Sequence, residues 1–349
     1  MNLLVISNMA PSPHNPAFGS FVKNQVDQLQ QNKQFEYLEF VRNVSSKKGW
    51  RALTGKYIGL LLALFKQAVF SKKRFDIIHV HYFYPTIWYA IIYKYLRNPG
   101  VKIIVTFHGS DIYCYSNPSS SYTFATRFID HAIFVSDTLK QQFYRQDLPS
   151  SVLSAGILDS YQAQRADKSF DLIMVGSLNA NKGTERLIEL LKVIKTPLNI
   201  ALIGDGELGD KARAYTSDIH QLHCFGTCLP AQIIGQLNQS KYLLNLSVYE
   251  GFGLSMSEGM ACGIPVIATD TDGSKVQVKG GYNGFVIDNN EAEFMVSARR
   301  VIADCMQNYE SDNYRRLARN ALTSVEKYKM SRVVVELIKI YQQLQPATH

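Results

Sequence analysis

The chain has 349 residues, 46% of them hydrophobic and 19% charged, with a formal net charge of +8. This composition is globular and long enough for two cores, and it excludes a disordered or low-complexity chain. Five cysteines, few and odd in number, suit a reduced compartment and exclude a disulfide framework.

The N-terminal run Met-Asn-Leu-Leu-Val-Ile-Ser has no basic flank and no small-residue cleavage site, so it reads as a first strand over 3–7 and not as a signal peptide. A Pro-rich loop containing His14 follows and ends at Gly19-Ser20. A helix is expected from Phe21, and strands over 36–41 and 75–80. Between them, 47–70 reads as a basic, apolar helix. A turn at 82–85 leads to a helix over 86–96. Strands over 102–107 and 132–136 follow, with a helix from Asp137. His79, His81 and His108 all fall at the carboxyl ends of these strands, where ligands bind in doubly wound parallel sheets. Residues 160–169 are polar and aperiodic and read as a linker. A second alternating unit begins with a strand over 170–175, the loop Gly176-Ser-Leu-Asn-Ala-Asn-Lys182-Gly183 and a helix over 184–194. A strand over 199–203 then runs into Gly204-Asp-Gly206. One helical stretch is expected over 291–328. A last helix over 331–344 carries Val333, Val334, Leu337, Ile340, Tyr341 and Leu344 on one face.

The stretch that organises the chain is Glu250-Gly251-Phe252-Gly253-Leu254-Ser255-Met-Ser-Glu258. It follows an apolar run over 242–246 and precedes a helical segment over 255–262, stopped by Gly263 and Pro265, and a strand over 266–268. A helix that starts behind a glycine corner offers unpaired N–H groups and the positive end of its dipole to an anion. Two carboxylates beside such a site do not suit phosphate. They suit the hydroxyls of a sugar or a ribose. The cluster His220-Gln-Leu-His223-Cys224-Phe-Gly-Thr-Cys228 is set aside as a metal site: zinc wants paired, separated ligand couples, and this run overlaps a strand.

The run EGFGLSMSEGMACGIPVIATDTDG resembles the E-x7-E signature of retaining glycosyltransferases of family 4, with Gly259 where alanine is usual. Lys182 in G-S-L-N-A-N-K-G resembles the family's G-R-L-x-x-x-K-G, with Ser177 in place of arginine, so one of two clamp charges on the donor diphosphate is absent. His108 in H-G-S-D matches a histidine placed over the transferred sugar. Gly204 and the corner Phe225-Gly226-Thr227 match positions near the nucleotide base. The resemblance implies the GT-B architecture: two Rossmann-like doubly wound α/β domains facing a cleft, with a C-terminal helix crossing back. The corresponding ranges are 1–160 for acceptor binding, 161–328 for the nucleotide-sugar, and 329–349 for the returning helix. It implies catalytic roles for His108, Lys182 and Glu250. Donor binding falls to Gly19, Ser20, Gly204, Thr227, Gly251, Phe252, Gly253, Leu254, Ser255 and Glu258, and the acceptor side to His14, His81 and Asp111. The implied reaction moves a sugar, with retention, from a UDP-linked donor to a glycan or lipid-linked acceptor in cell-surface glycoconjugate synthesis, with no metal and no cofactor. A GT-B sugar-nucleotide epimerase and a non-catalytic sugar-nucleotide or glycan-binding protein are the alternatives.

The charge is lopsided. Residues 1–160 hold 17 Lys and Arg against 9 Asp and Glu, whereas the remainder balances at 20 of each. Between Glu39 and Asp76 there is no acidic residue, and nine basic ones run from Arg42 to Arg74. No nucleic-acid-binding motif accompanies them. The stretch 42–74 therefore predicts contact with the anionic inner membrane surface, and a cytoplasmic, peripheral location.

Overall fold

The computed structural model describes residues 1–11, 19–42, 59 and 73–345. The chain forms two compact units, Met1–Gly156 with Met330–His349, and Ile157–Lys329.

Unit 1 contains β1 (Asn2–Ser7), α1 (Ser20–Gln30), β2 (Tyr37–Arg42), β3 (Ile77–His81), α2 (Ile87–Leu96), β4 (Lys102–Phe107), α3 (Ser110–Tyr113), α4 (Ser120–Ala125), β5 (His131–Phe134), α5 (Asp137–Gln142) and β6 (Ser150–Val152). The strands form one parallel sheet in the order β2-β1-β3-β4-β5-β6. The central strands are buried along nearly their whole length, which is why they read as continuous apolar runs without alternation. The strand order reverses between β1 and β3, where Ser7 pairs with His81, so the carboxyl ends of these strands flank the switch point.

Unit 2 contains β7 (Phe170–Val175), α6 (Thr184–Val193), β8 (Leu198–Ile203), α7 (Gly209–Arg213), β9 (His220–Gly226), α8 (Pro230–Asn238), β10 (Ser240–Asn245), α9 (Leu254–Ala261), β11 (Val266–Thr269), α10 (Asp272–Gln277), β12 (Gly284–Ile287), α11 (Glu291–Gln307) and α12 (Asp312–Val325). Its parallel sheet runs β12-β11-β10-β7-β8-β9, with the switch point between β7 and β10. Leu172, Leu187, Leu191, Ile200, Leu244 and Ile267 centre its core.

The last helix, α13 (Met330–Leu344), belongs to unit 1. Met330, Val334, Leu337, Ile338 and Tyr341 pack with Leu3, Val5, Val26, Ile77 and Ile104, the face expected from its apolar spacing. The architecture is the two-domain α/β fold expected from the sequence, with a returning C-terminal helix.

Two expectations are corrected. The polar stretch 160–169 lies inside unit 2 and does not join the units. The division falls at Gly156/Ile157, because Ile157 bridges Lys329 and donates its N–H to the Tyr328 carbonyl. The helical stretch over 291–328 is broken in two: Glu310 takes a left-handed φ of 66°, and Ser311 caps α12 by accepting from the Tyr314 N–H.

Candidate functional site

Lys182 and Glu250 stand on the loops that follow β7 and β10, the two strands at the switch point of unit 2. Lys182 Nζ donates to Glu250 Oε2 at 2.5 Å, and Ser247 Oγ reaches the same oxygen at 3.3 Å. Asn181 fixes the pair. Its amide group donates to the Tyr249 carbonyl and accepts from the Tyr249 N–H, each at 3.1 Å, while its own carbonyl accepts from Val248 N–H at 2.7 Å. The loops after β7 and β8 are joined in turn. Gly204 has φ 132°, and a Cβ there would lie 1.8 Å from the Gly176 carbonyl oxygen, so only glycine permits this backbone approach. Ser177 is exposed. The nearby Arg186 is buried against Phe294 and committed to Glu291, Asn289 and the Leu246 carbonyl, so it does not replace the missing clamp charge.

Gly253 turns the chain into α9 at φ 84° with no side-chain cap, leaving the first-turn amides of Leu254 and Ser255 without a side-chain acceptor. A Cβ on Gly253 would meet Met256 Cε at 2.4 Å and Glu250 Cγ at 3.0 Å. Behind this corner, Gln277 donates to the carbonyls of Phe252 and Gly253 and accepts from Ser257 Oγ at 2.5 Å. Gly273 N–H donates to the Glu250 carbonyl at 2.7 Å. The Phe252 ring is buried edge-on against Tyr328, so this residue brings only backbone to the corner. Gly251 lies on it, partly exposed.

Glu258, one turn into α9, keeps different company. The buried Tyr161 hydroxyl donates to it, and burial nevertheless pushes its carboxyl up to about 7. Thr227 is exposed just past the end of edge strand β9, beside the Gly204 N–H to Gly226 carbonyl bond. On β9, His223 points away from the face shared by His220 and Cys224. Among the described residues no group of three His, Cys, Asp or Glu is placed to hold a metal.

In unit 1 the histidines form a stack. His81 Nδ1 and His108 Nε2 are 3.1 Å apart, with ring centroids at 5.3 Å. His81 is buried and its imidazole pushed down to about 3 by burial. The His108 imidazole is held well below its ordinary range by burial, then by His81. Both rings are neutral at physiological pH, so one N–H donates to the other ring nitrogen. Tyr82, at a left-handed φ of 64°, lays its ring on His108 at 4.6 Å; a non-glycine residue holds such a backbone only when its surroundings impose it. His79, which the sequence places at a ligand-facing strand end, is spent on structure: its nitrogens contact Tyr341 Oη at 2.6 Å and Thr106 Oγ1 at 2.7 Å, tying β3 to α13 and β4. Asp111 is buried, and its carboxylate accepts from the His108, Gly109 and Phe83 N–H groups. It pins the loops after β3 and β4, with its carboxyl raised to about 6 by burial. Gly19, at φ 67°, opens α1, and Ser20 is its first residue. His14 and most of the basic stretch 42–74 lie outside the described residues; Arg42, Lys73 and Arg74 are described and exposed.

Tyr161, Asn181, Gln277 and Tyr82 were not found from the sequence. Each acts on a partner that no local motif connects to it. The only signal was at Asn181, inside the Lys182 motif.

Comparison with known proteins covers both units. Residues 24–157 match the family model described as Glycosyltransferase Family 4, and residues 159–322 match Glycosyl transferases group 1. The chain is similar to an uncharacterized glycosyltransferase of Methanocaldococcus jannaschii, 26% identical, covering 98% of this chain and 99% of the relative. It is also similar to an N-acetyl-alpha-D-glucosaminyl L-malate synthase of Bacillus anthracis, 24% identical, covering 81% of this chain and 78% of the relative. Among solved structures it resembles HepE of Anabaena in complex with UDP, with TM-score 0.73 and 16% identity, over 98% of this chain and 100% of that one.

Proposed function

We propose that the chain, a glycosyltransferase of GT-B architecture, transfers a sugar from a UDP-linked donor to a hydroxyl of a glycan or lipid-linked acceptor, with retention at the anomeric carbon. The observation that carries this reading is the Lys182–Glu250 pair at the switch point, beside the uncapped start of α9. A nucleoside diphosphate needs a cation and N–H donors at its phosphates, and a sugar needs a carboxylate for its hydroxyls. This corner supplies all three within one compact unit. Lys182 and the Leu254 and Ser255 amides neutralise charge on the leaving diphosphate. Glu250 accepts from the transferred sugar, and Glu258 from the ribose. The acceptor proton goes to the departing phosphate oxygen on the same face. UDP as the nucleotide is supported by the UDP and UDP-glucose complexes of HepE.

His108 serves as a neutral hydrogen-bonding group toward the sugar. The excess positive charge of residues 1–160 supports an acceptor carried at the anionic inner face of a membrane, and with it a peripheral, cytoplasmic protein. No helix among the described residues is long and apolar enough to cross a membrane.

Ser177 in place of the usual arginine favours a second reading, a protein that binds sugar-nucleotide without turning it over. Release of UDP from UDP-sugars, assayed with and without a lipid-linked acceptor and with EDTA, separates the readings. The proposal expects acceptor-dependent release that EDTA leaves unchanged. Binding without release supports the non-catalytic reading, acceptor-independent conversion supports an epimerase, and loss with EDTA restored by Mg²⁺ overturns the metal-free chemistry.

A further inference from the structure

Helix α2 is apolar on both its inner and outer faces, with Lys94 its one charged residue. Its inner face is buried through Ile87, Ala90 and Ile91, yet Trp88, Ile92, Tyr95 and Leu96, spaced for one face, form an outer stripe. Ile92, Tyr95 and Leu96 are 39%, 69% and 62% exposed. A helix of this composition ordinarily lies in a core. The stripe continues onto α4 and the turn behind it. Phe124, 46% exposed, stacks on Trp88 at 6.3 Å and meets Phe128 at 5.4 Å, and Phe128 meets Tyr95 at 5.9 Å. The patch is therefore contiguous and mostly aromatic.

Its charge is of one sign. Neither 86–97 nor 118–129 contains an aspartate or glutamate; half-buried Lys94 donates to the Val101 carbonyl at 2.6 Å, and Arg127 is exposed beside the patch. The Arg127 guanidinium sits 6.0 Å from the Phe124 ring centroid. The next carboxylate, Asp130, is committed to Lys102 and the Ile103 N–H. Self-association about a two-fold would offer Arg127 no carboxylate from either of these segments. Trp and Tyr beside an exposed arginine match the headgroup layer of a bilayer, where amphipathic rings and cations both find favourable surroundings.

We propose that this face of α2 with Phe124 and Phe128 seats unit 1 on an anionic lipid surface, as an apolar contact separate from the basic stretch 42–74. The inference rests on the membrane-side reading given above and not on the chemistry of transfer.

The chain has two tryptophans, Trp50 in the basic stretch and Trp88 on this face, so each single-tryptophan variant reports one region. With W50F, vesicles of phosphatidylglycerol and phosphatidylcholine should shift Trp88 emission to the blue, and brominated acyl chains should quench it; phosphatidylcholine alone should do neither. The triple substitution I92S/Y95S/L96S should weaken vesicle affinity by about ten-fold or more while UDP affinity stays unchanged. Trp88 emission unaltered in vesicle-bound protein, or wild-type vesicle affinity in the triple variant, overturns the proposal. So does a wild-type dimer in solution that the triple substitution turns into monomer, which would assign the face to a second copy. A chain that seats on vesicles through Trp88 but releases no UDP overturns the catalytic reading and leaves this one standing.

Discussion

Lys182 is partly exposed and Glu250 nearly buried, so truncating the lysine leaves a carboxylate without its cation beside the proposed diphosphate position. In the proposed chemistry the charge on the leaving group grows toward the transition state, and a cation placed there acts mainly on turnover. Lys182→Ala is expected to lower kcat by about 10²-fold or more with a smaller change in KM; an unchanged kcat with a raised KM would make Lys182 a ground-state contact only. Glu258 makes a prediction about pH. Its carboxyl is raised from 4.5 to about 7 by burial, so the folded chain holds a proton there that the unfolded chain releases. Stability from this group is therefore present below pH 4.5 and is lost as pH rises toward 7. In its proposed role Glu258 accepts from ribose hydroxyls, which favours its anion, so UDP affinity should rise as pH passes upward through about 7, with release of a proton. Titration calorimetry at pH 6 and pH 8 in buffers of different ionisation enthalpy checks this. Glu258→Gln should flatten the dependence, and an unaltered pH profile in that variant would remove Glu258 from donor binding.

At the scale of elements, the corner from Glu250 into α9 is the part the sequence showed most completely, because its constraints are local. A left-handed Gly253, a carboxylate three residues before it and a helix directly behind it are all read within one turn. Gly253→Ala should cost about 1–2 kcal/mol, since an L-residue resists φ 84°, and its Cβ would push on Met256 and Glu250. Denaturant unfolding together with UDP affinity measures both effects; unchanged values in both would mean the corner is not held as described. The strands were legible for a similar reason: β1, β3, β7 and β10 are buried runs bounded by polar ends. The break between α11 and α12 was not. The sequence Asn308-Tyr-Glu-Ser311 has neither glycine nor proline, and the left-handed Glu310 is visible only once both helices are docked on the sheet. Tyr161 was hidden in the same way, in a polar stretch that reads as a linker, because its hydrogen bond to Glu258 spans nearly a hundred residues and leaves no trace in spacing. The histidines show the reverse case. Their places at strand ends were readable, but only the structure separates His79, spent on Tyr341 and Thr106, from the His81–His108 pair.

At the scale of the whole molecule, charge and chemistry are divided between the units. Unit 1, with α13, carries 19 Lys and Arg against 9 Asp and Glu, and the aromatic face of α2. Unit 2 carries 18 against 20, and the Lys182–Glu250 corner. An enzyme drawing a water-soluble donor and an acceptor held at an anionic surface would be divided in this way. The returning helix α13 makes the division independent of chain order, since its Tyr341 is tied to His79 in the first unit. The proposed function requires the Lys182–Glu250 corner of unit 2 to support sugar transfer with retention. The most direct measurement is the anomeric configuration of the first product, followed by NMR from an α-linked UDP-sugar and a lipid-linked acceptor. An α-linked product is expected, formed with release of one UDP per sugar and formed far more slowly by Lys182→Ala. A β-linked product, or UDP release that does not depend on the acceptor, would contradict the proposed function.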